Sequence, residues 1–384
     1  MKKINKISAV LILPFLMLFS SCFDPIFYEI RKDVKPETAT VSGNIPNVTR
    51  YTGSDGTEYL YTTADEGLRR KKADNESHDS WSTQSVPFEL IHFDWDSTTY
   101  SGEQLLTVLA DATSLYLISV KYTTTGTEGN TNPSSLRLWA KEGDGNWEKV
   151  SFTLPLGYNW DTESYVSLFN VFQTNAPQKD HRAAYICKYV DGSFLTYKLN
   201  GTSEPTQVTI SKLEDSSGTR PYSAVYNNGI KFFSSTAATT NETYTTPSSH
   251  IYYANGKDLY YSDSTEYKKA FSVPQKISAL ATCKDSILIG MGDFEDLSND
   301  GGGITRATLN EEGIPASSTS DFSTNAAFQI TTAYTVLTLL NATPEKNETD
   351  SALYASMTFS SSIGLHDNVG LWSYYPGRGN WNRE

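Results

Sequence analysis

Ile251-Tyr252-Tyr253-Ala254-Asn255-Gly256-Lys257-Asp258-Leu259-Tyr260-Tyr261-Ser262 is the stretch on which the reading of the chain turns. Two short blocks rich in aromatic residues flank Asn255-Gly256, a dipeptide where positive φ costs little and a hairpin twists correctly. The segment predicts two antiparallel strands joined by a tight turn.

The same arrangement recurs on both sides of it. Leu115 to Tyr122 is followed by Leu136 to Ala140, and Ala184 to Val190 by Phe194 to Leu199. Downstream, Ile287 to Met291 precedes Ile304 to Leu309, and Leu353 to Phe359 precedes Leu371 to Tyr375; Tyr59 to Thr63 is an earlier member. Asp191-Gly192 joins one pair, and Asp144-Gly145 turns the chain between Leu138-Trp139 and Trp147 to Val150. Long amphipathic helices are absent from the pattern; Tyr, Ile, Val, Phe and Thr dominate the blocks, and Gly, Asn, Asp, Ser and Pro separate them.

First members of the pairs recur at roughly 50 to 70 residues, slightly longer than the ~40 to 50 of WD40 and kelch units, and a repeat of about four short strands fits. The expected fold is all-β, a β-propeller of about six or seven blades, with tandem β-sandwiches as the alternative built from the same hairpins. A propeller buries both faces of each small sheet against its neighbours, and closing the ring covers the exposed edges. Closure is expected to use both ends of the chain, a strand near Thr38 to Ser42 lying beside Leu353 to Tyr375. Ile289-Gly290, followed by Gly302-Gly303-Ile304 and echoed by Gly370-Leu371-Trp372, is similar to blades of known propellers.

The 384 residues carry 31 basic and 44 acidic side chains, a formal charge of −13. Nucleic acid binding needs Lys and Arg to replace condensed counterions, so this balance speaks against a nucleic acid partner. Mean hydropathy of −0.42 speaks against a polytopic membrane protein. Three cysteines are too few for a disulfide framework, and Cys187 and Cys283, each in an apolar segment, read as small buried hydrophobes.

Residues 1–21 have the zones of an export signal: Lys2, Lys3 and Lys6, an uncharged run from Ile7 through Phe19, then Ser20 and Ser21. The run is short of the ~20 residues of a comfortable bilayer span. Leu18-Phe19-Ser20-Ser21-Cys22 resembles the lipobox of bacterial lipoproteins, in the looser spirochaetal form with Phe19 where Leu is commonest. That resemblance implies that Cys22 is lipidated and becomes the new N-terminus, where two or three acyl chains make a durable anchor. Asp24-Pro25-Ile26-Phe27-Tyr28-Glu29-Ile30, with Gly370-Leu371-Trp372-Ser373-Tyr374-Tyr375 and Trp381-Asn382-Arg383-Glu384, resembles the two ends of treponeme-type spirochaetal lipoproteins. The likeness implies an envelope protein held to a membrane on the periplasmic face or outer surface, and it supplies no activity. The expected organisation is a signal peptide over 1–21, a lipidated N-terminus and tether over 22–48, and the propeller-like domain over 49–384.

Signatures of catalysis are missing from the sequence. No His-Glu-x-x-His offers two imidazoles to zinc, no Gly-x-Ser-x-Gly presents a nucleophile, and no Gly-x-x-x-x-Gly-Lys cradles phosphate. His78, His92, His181, His250 and His366 lack ligand spacing. Asp293, Glu295, Asp296, Asn299 and Asp300 precede three glycines, yet the spacing is not that of an EF-hand, and a solvated acidic loop is expected. Asp94-Trp95-Asp96 places two carboxylates on one face of an extended segment, the residue type a glycosidase uses. Lys141 with Gly143-Asp144-Gly145-Asn146-Trp147 partly resembles the Asp-box turn of sialidase-type propellers, where the turn is structural. Neither a catalytic residue, a metal site nor a cofactor is therefore assigned, and Asn241-Glu242-Thr243 marks only a polar loop. The expected function is that of a lipid-anchored binding protein that meets a protein or glycan with loops on one propeller face, its 24 Tyr and 7 Trp offering stacking platforms. The alternatives are a glycan-processing enzyme and a structural component of envelope assembly.

Overall fold

The computed structural model describes residues 41–90, 102–208, 223–241, 250–292, 301–359 and 369–384, apart from short turns and isolated positions within them. The chain from Ala39 onward forms one compact unit. Its small antiparallel sheets stand in a ring as a six-bladed β-propeller.

Blade 1 contains β1 (Val48–Thr52), β2 (Glu58–Ala64), β3 (Gly67–Lys72) and β4 (Ser82–Gln84), in that order from inside to outside. Blade 2 repeats the order with β5 (Glu103–Ala110), β6 (Ser114–Thr125), β7 (Asn130–Glu142) and β8 (Glu148–Pro155), and a short hairpin of β9 (Tyr158–Asn159) and β10 (Ser164–Tyr165) follows. Blade 3 is β11 (Phe169–Gln173), β12 (Ala184–Val190), β13 (Ser193–Asn200) and β14 (Ser203–Val208). A hairpin of β15 (Ser223–Asn227) and β16 (Ile230–Ser234) extends it, β16 running parallel to β11. Blade 4 comprises β17 (Thr239–Asn241), β18 (His250–Asn255), β19 (Asp258–Ser262) and β20 (Tyr267–Ser272); blade 5 comprises β21 (Ile277–Thr282), β22 (Ser286–Met291), β23 (Gly303–Thr308) and β24 (Ser320–Asp321). Blade 6 is β25 (Tyr334–Asn341), β26 (Leu353–Phe359), β27 (Gly370–Tyr375) and β28 (Asn380–Arg383).

The paired blocks expected from the sequence are second and third strands of blades, and the turn at Asp144-Gly145 joins the third and fourth strands of blade 2. Asn255 pairs with Asp258 across Gly256, whose φ of 56° is the left-handed turn that Gly tolerates at no cost. The innermost strands are different in kind. Every residue of β5, β21 and β25 is buried, because such a strand is covered on both faces by neighbouring blades, so alternation of polar and apolar residues is lost.

These three strands also share a defect. Each carries a β-bulge, between Leu105 and Thr107, Ile277 and Ala279, and Val336 and Thr338. Counting back from the strand end, the extra residues Leu106, Ser278 and Leu337 occupy one and the same position, so the bulge is a property of the repeat and bends each inner strand alike.

Hydrophobic clusters lie between blades: Tyr252, Leu259, Leu280 and Ile289 between blades 4 and 5, and Ala281, Leu288, Val336 and Met357 between blades 5 and 6. Closure joins the last blade to the first through Val48, Leu60, Trp81, Leu340, Tyr354 and Leu371. Val41 and Ile45 are fully buried in this cluster, and Val41 N donates to Glu384 O at 3.1 Å. Of the expected terminal strand at Thr38 to Ser42, only Val41 is described, and it is a bend held by this single backbone bond.

Side chains lace the ring near its axis. Asn47 Nδ2 donates to Val108 O at 2.7 Å, joining blades 1 and 2. Gln173 Oε1 accepts from Ala110 N at 3.1 Å, and Asn341 Nδ2 donates to Thr282 O at 3.0 Å. Gln173 and Asn341 each end an innermost strand and reach the matching position of the preceding blade.

Candidate functional site

Strand alternation decides which side chains of blade 1 face blade 2. Tyr51 pairs with Tyr59, and Tyr61 pairs with Arg70, so these four residues share one face of the sheet. The face packs on Leu105, Val108 and Leu115 of blade 2 through Tyr51 and Tyr61, while Tyr59 and Trp147 close the cluster as half-buried rings. The β1–β2 turn, residues 53–57, meets the β7–β8 turn, residues 143–147, where Ser54 Oγ hydrogen-bonds Asp144. Gly143 takes φ 54°, and a Cβ there would stand 3.5 Å from that of Ser54. Tyr51 Oη donates to Thr113 O at 3.0 Å and lies 3.5 Å from Gly143 O, fixing the floor.

The result is a ledge of rings and charges between two blades. Tyr51 and Tyr61 meet edge to face at 6.2 Å, and Tyr59 and Tyr61 do so at 6.4 Å. Arg70 Cζ lies 4.6 Å from the Tyr59 ring centre, and Lys141 Nζ lies 5.5 Å from that of Trp147. Burial lowers the Lys141 ammonium below its ordinary pKa, with Asp144 opposing the shift and Arg70 adding to it. Burial raises the Tyr51 phenol to about 12, and it raises Tyr61 against a hydrogen bond from Arg70. Both phenols are therefore neutral donors at physiological pH. The ledge offers ring faces, two cations and the exposed groups Ser54 and Asp144, a set suited to stacking and multiple hydrogen bonds.

The turn with partial Asp-box likeness thus lies at this ledge and bridges two blades. The sequence singled out Lys141, Asp144 and Trp147 by that likeness, whereas Ser54 and Arg70 carry no motif. Other sequence candidates fall elsewhere. Cys22, His78, His92, His366, Asp94, Asp96 and the residues 293–300 lie outside the described residues. His181 is exposed in the turn Lys179–His181, where its carbonyl accepts from Thr174 Oγ1 at 3.1 Å. His250 and Asn241 pair across β17 and β18. Cys187 lies in β12, and Cys283 follows β21 as a buried free thiol. Among the described residues, no three His, Cys, Asp or Glu side chains are grouped to hold a metal ion, and no helix is long and apolar enough to cross a membrane.

No protein-family model matches the chain, and no curated protein is similar to it in sequence. Similar solved structures include the SapL1 lectin in complex with α-methyl fucoside, with 11% identity and a TM-score of 0.36 over 89% of this chain and 96% of the lectin. A quinoprotein alcohol dehydrogenase-like protein of Bacteroides thetaiotaomicron has 9% identity and a TM-score of 0.34, covering 74% of this chain and 68% of its own. A GH43 β-1,3-galactosidase has 10% identity and a TM-score of 0.35, covering 69% of this chain and 55% of its own. Likenesses this distant carry no argument about function.

Proposed function

We propose that this chain is a lipid-anchored binding protein of a spirochaetal cell envelope, whose propeller recognises a glycan at the ledge between blades 1 and 2. The observation that carries the binding reading is the ledge itself: Tyr59 and Trp147 half-buried beside Arg70, Lys141, Ser54 and Asp144. Sugars present apolar C–H faces that stack on such rings, and hydroxyls that satisfy charged and polar groups at the rim. The anchor rests on the lipobox-like Leu18 to Cys22. Such a tether presents the ring at the membrane without a transmembrane helix.

Two measurements test the two halves. Metabolic palmitate labels the wild type, and Cys22→Ser abolishes the label and releases the protein from membranes; equal labelling of the variant refutes the anchor. For the ledge, a glycan array probed with the purified protein yields hits whose affinity falls at least ~tenfold in Trp147→Ala, the cost of losing one stacked ring. Unchanged affinity moves the site elsewhere. Release of cleaved product from the same glycans replaces binding by the glycan-processing alternative.

A further inference from the structure

A second cluster of charge lies on the side of blade 1 away from the ledge. Arg50 and Glu58 alternate with Tyr51 and Tyr59 along β1 and β2, so they point to the opposite face. Arg182 reaches them from the β11–β12 connection of blade 3, past the turn of blade 2, where Ala112 N donates to Arg182 O at 3.1 Å. Glu58 Oε2 accepts from Arg50 Nη2 at 2.8 Å, and Glu58 Oε1 accepts from Arg182 Nη2 at 2.6 Å. Arg182 Nη1 is satisfied by Arg50 O at 3.3 Å.

The charges do not balance. Two guanidiniums share one carboxylate, leaving one positive charge in excess. The Arg182 side chain is 6% exposed and that of Arg50 10%, so the excess sits where an uncompensated charge is expensive. The Nε atoms of Arg50 and Arg182 are both buried without a hydrogen-bond partner. Glu58 is 26% exposed, so water reaches the cluster from its side. Burial and then Arg50 lower the Arg182 pKa, with only Glu58 opposing. Burial raises the Glu58 carboxyl, yet Arg50 and Arg182 outweigh it and hold the pKa below the ordinary range.

We infer that Arg50 and Arg182 form a binding site for a small oxyanion, a carboxylate or a phosphate-type group, where blade 1 meets the β11–β12 connection of blade 3. The anion takes up guanidinium donors that Glu58 leaves unpaired and neutralises the surplus charge. Glu58 is the internal competitor: it pre-orients both guanidiniums and weakens the site by half their charge. The planar fork suits either anion geometry.

Isothermal titration of the full chain with sodium phosphate, sulfate and acetate, each against chloride at equal ionic strength, tests the site. At least one of these anions binds saturably, and Arg182→Gln or Arg50→Gln weakens it about tenfold, the size of one charge-assisted hydrogen bond. Acetate alone assigns a carboxylate ligand; phosphate and sulfate alone assign a tetrahedral one. Glu58→Gln, verified as folded by circular dichroism, tightens binding, which a purely structural network does not do. The inference is overturned by heat no different from chloride for all three anions, or by Glu58→Gln and Arg50→Gln weakening binding alike. The glycan reading stands apart from this outcome, because Trp147→Ala leaves the anion isotherm unchanged.

Discussion

Blade 6 meets blade 5 on one side and blade 1 on the other, and the two junctions are made of different materials. Toward blade 5 the contact of the inner strands is apolar and close, and the ion pair that also spans this junction, Glu348 with Arg306, has its arginine 39% exposed. A Cβ on Gly290 would come within 2.7 Å of Val336 Cγ1, so the two blades approach to a distance that only glycine allows. Toward blade 1 the chain instead buries an ion pair. Lys71 Nζ stands 2.6 Å from Glu384 Oε2, both side chains fully buried. Trp81 Nε1 donates to the same oxygen at 2.5 Å, and Ser373 donates to the other. The rings of Trp81, Tyr354 and Tyr375 stand 5.5 to 5.8 Å from the ammonium. Blades 5 and 6 are consecutive, so the chain itself brings them together. Lys71 and Glu384 are 313 residues apart, and their junction must be selected among many wrong contacts. A polar group that is costly unless correctly met provides that selection, and we take specificity of closure as the role of this pair.

The largest expected effect separates the two materials directly. Lys71→Met or Glu384→Gln alone strands a partner in the interior and destabilises the domain by ~3 to 5 kcal/mol in urea unfolding. Lys71→Met combined with Glu384→Gln costs less than the sum, because neither charge remains to be buried. A cost below ~1 kcal/mol for either single variant means that apolar packing, and not charge, closes the ring. The matching change at the other junction is smaller. Gly290→Ala drives a methyl against Val336 and costs ~1 to 3 kcal/mol of overpacking. Val336→Ala in that background recovers part of the loss. Additive losses instead show that Gly290 serves its backbone conformation and not the approach of the two blades.

The sequence disclosed the parts of this ring that obey short-range rules. Hairpins such as β18–β19 announce themselves by aromatic-rich blocks around a turn dipeptide, here Asn255-Gly256, and the turn at Asp144-Gly145 is legible for the same reason. Inner strands were harder to read. Glu103–Ala110, Ile277–Thr282 and Tyr334–Asn341 are buried on both faces, polar residues such as Thr107, Ser278 and Thr338 included, so they lack the alternation by which a strand is recognised. Their shared bulge emerges only when registers are compared. Charge clusters were not legible at all. Arg182 and Glu58 are 124 residues apart, and nothing in Asp180-His181-Arg182-Ala183 or Gly56-Thr57-Glu58-Tyr59 foretells that they meet. The ledge was half legible, since the turn holding Asp144 and Trp147 was visible while Arg70 across the junction was one arginine among many.

The smallest expected effect probes the polar seam of the junction between blades 5 and 6. Cys283 follows the inner strand of blade 5, and Asn341 Nδ2 and Ser351 Oγ of blade 6 stand 3.3 and 3.9 Å from its sulfur. Burial raises this thiol from 9.0 to about 12, with the hydrogen bonds of Ser351, Ser286 and Asn341 opposing only in part. The folded state therefore keeps the proton that the unfolded chain loses above pH 9. A raised folded pKa leaves stability intact below the unfolded value and erodes it as pH rises from about 9 toward 12. Cys283→Ser has no thiol to ionise, and its hydroxyl keeps the same neighbours. The variant should lose about 1 kcal/mol less than its parent between pH 8.5 and 10, a difference in which Tyr and Lys titrations cancel. At pH 8 a maleimide should leave Cys283 unmodified until denaturant is added, because the reactive species is the thiolate. Rapid labelling of the native protein at Cys283, or parallel pH profiles for variant and parent, shows that water enters this seam. The contrast between a dry junction and a charged one then fails at the axial end of blades 5 and 6, where Asn341 laces them.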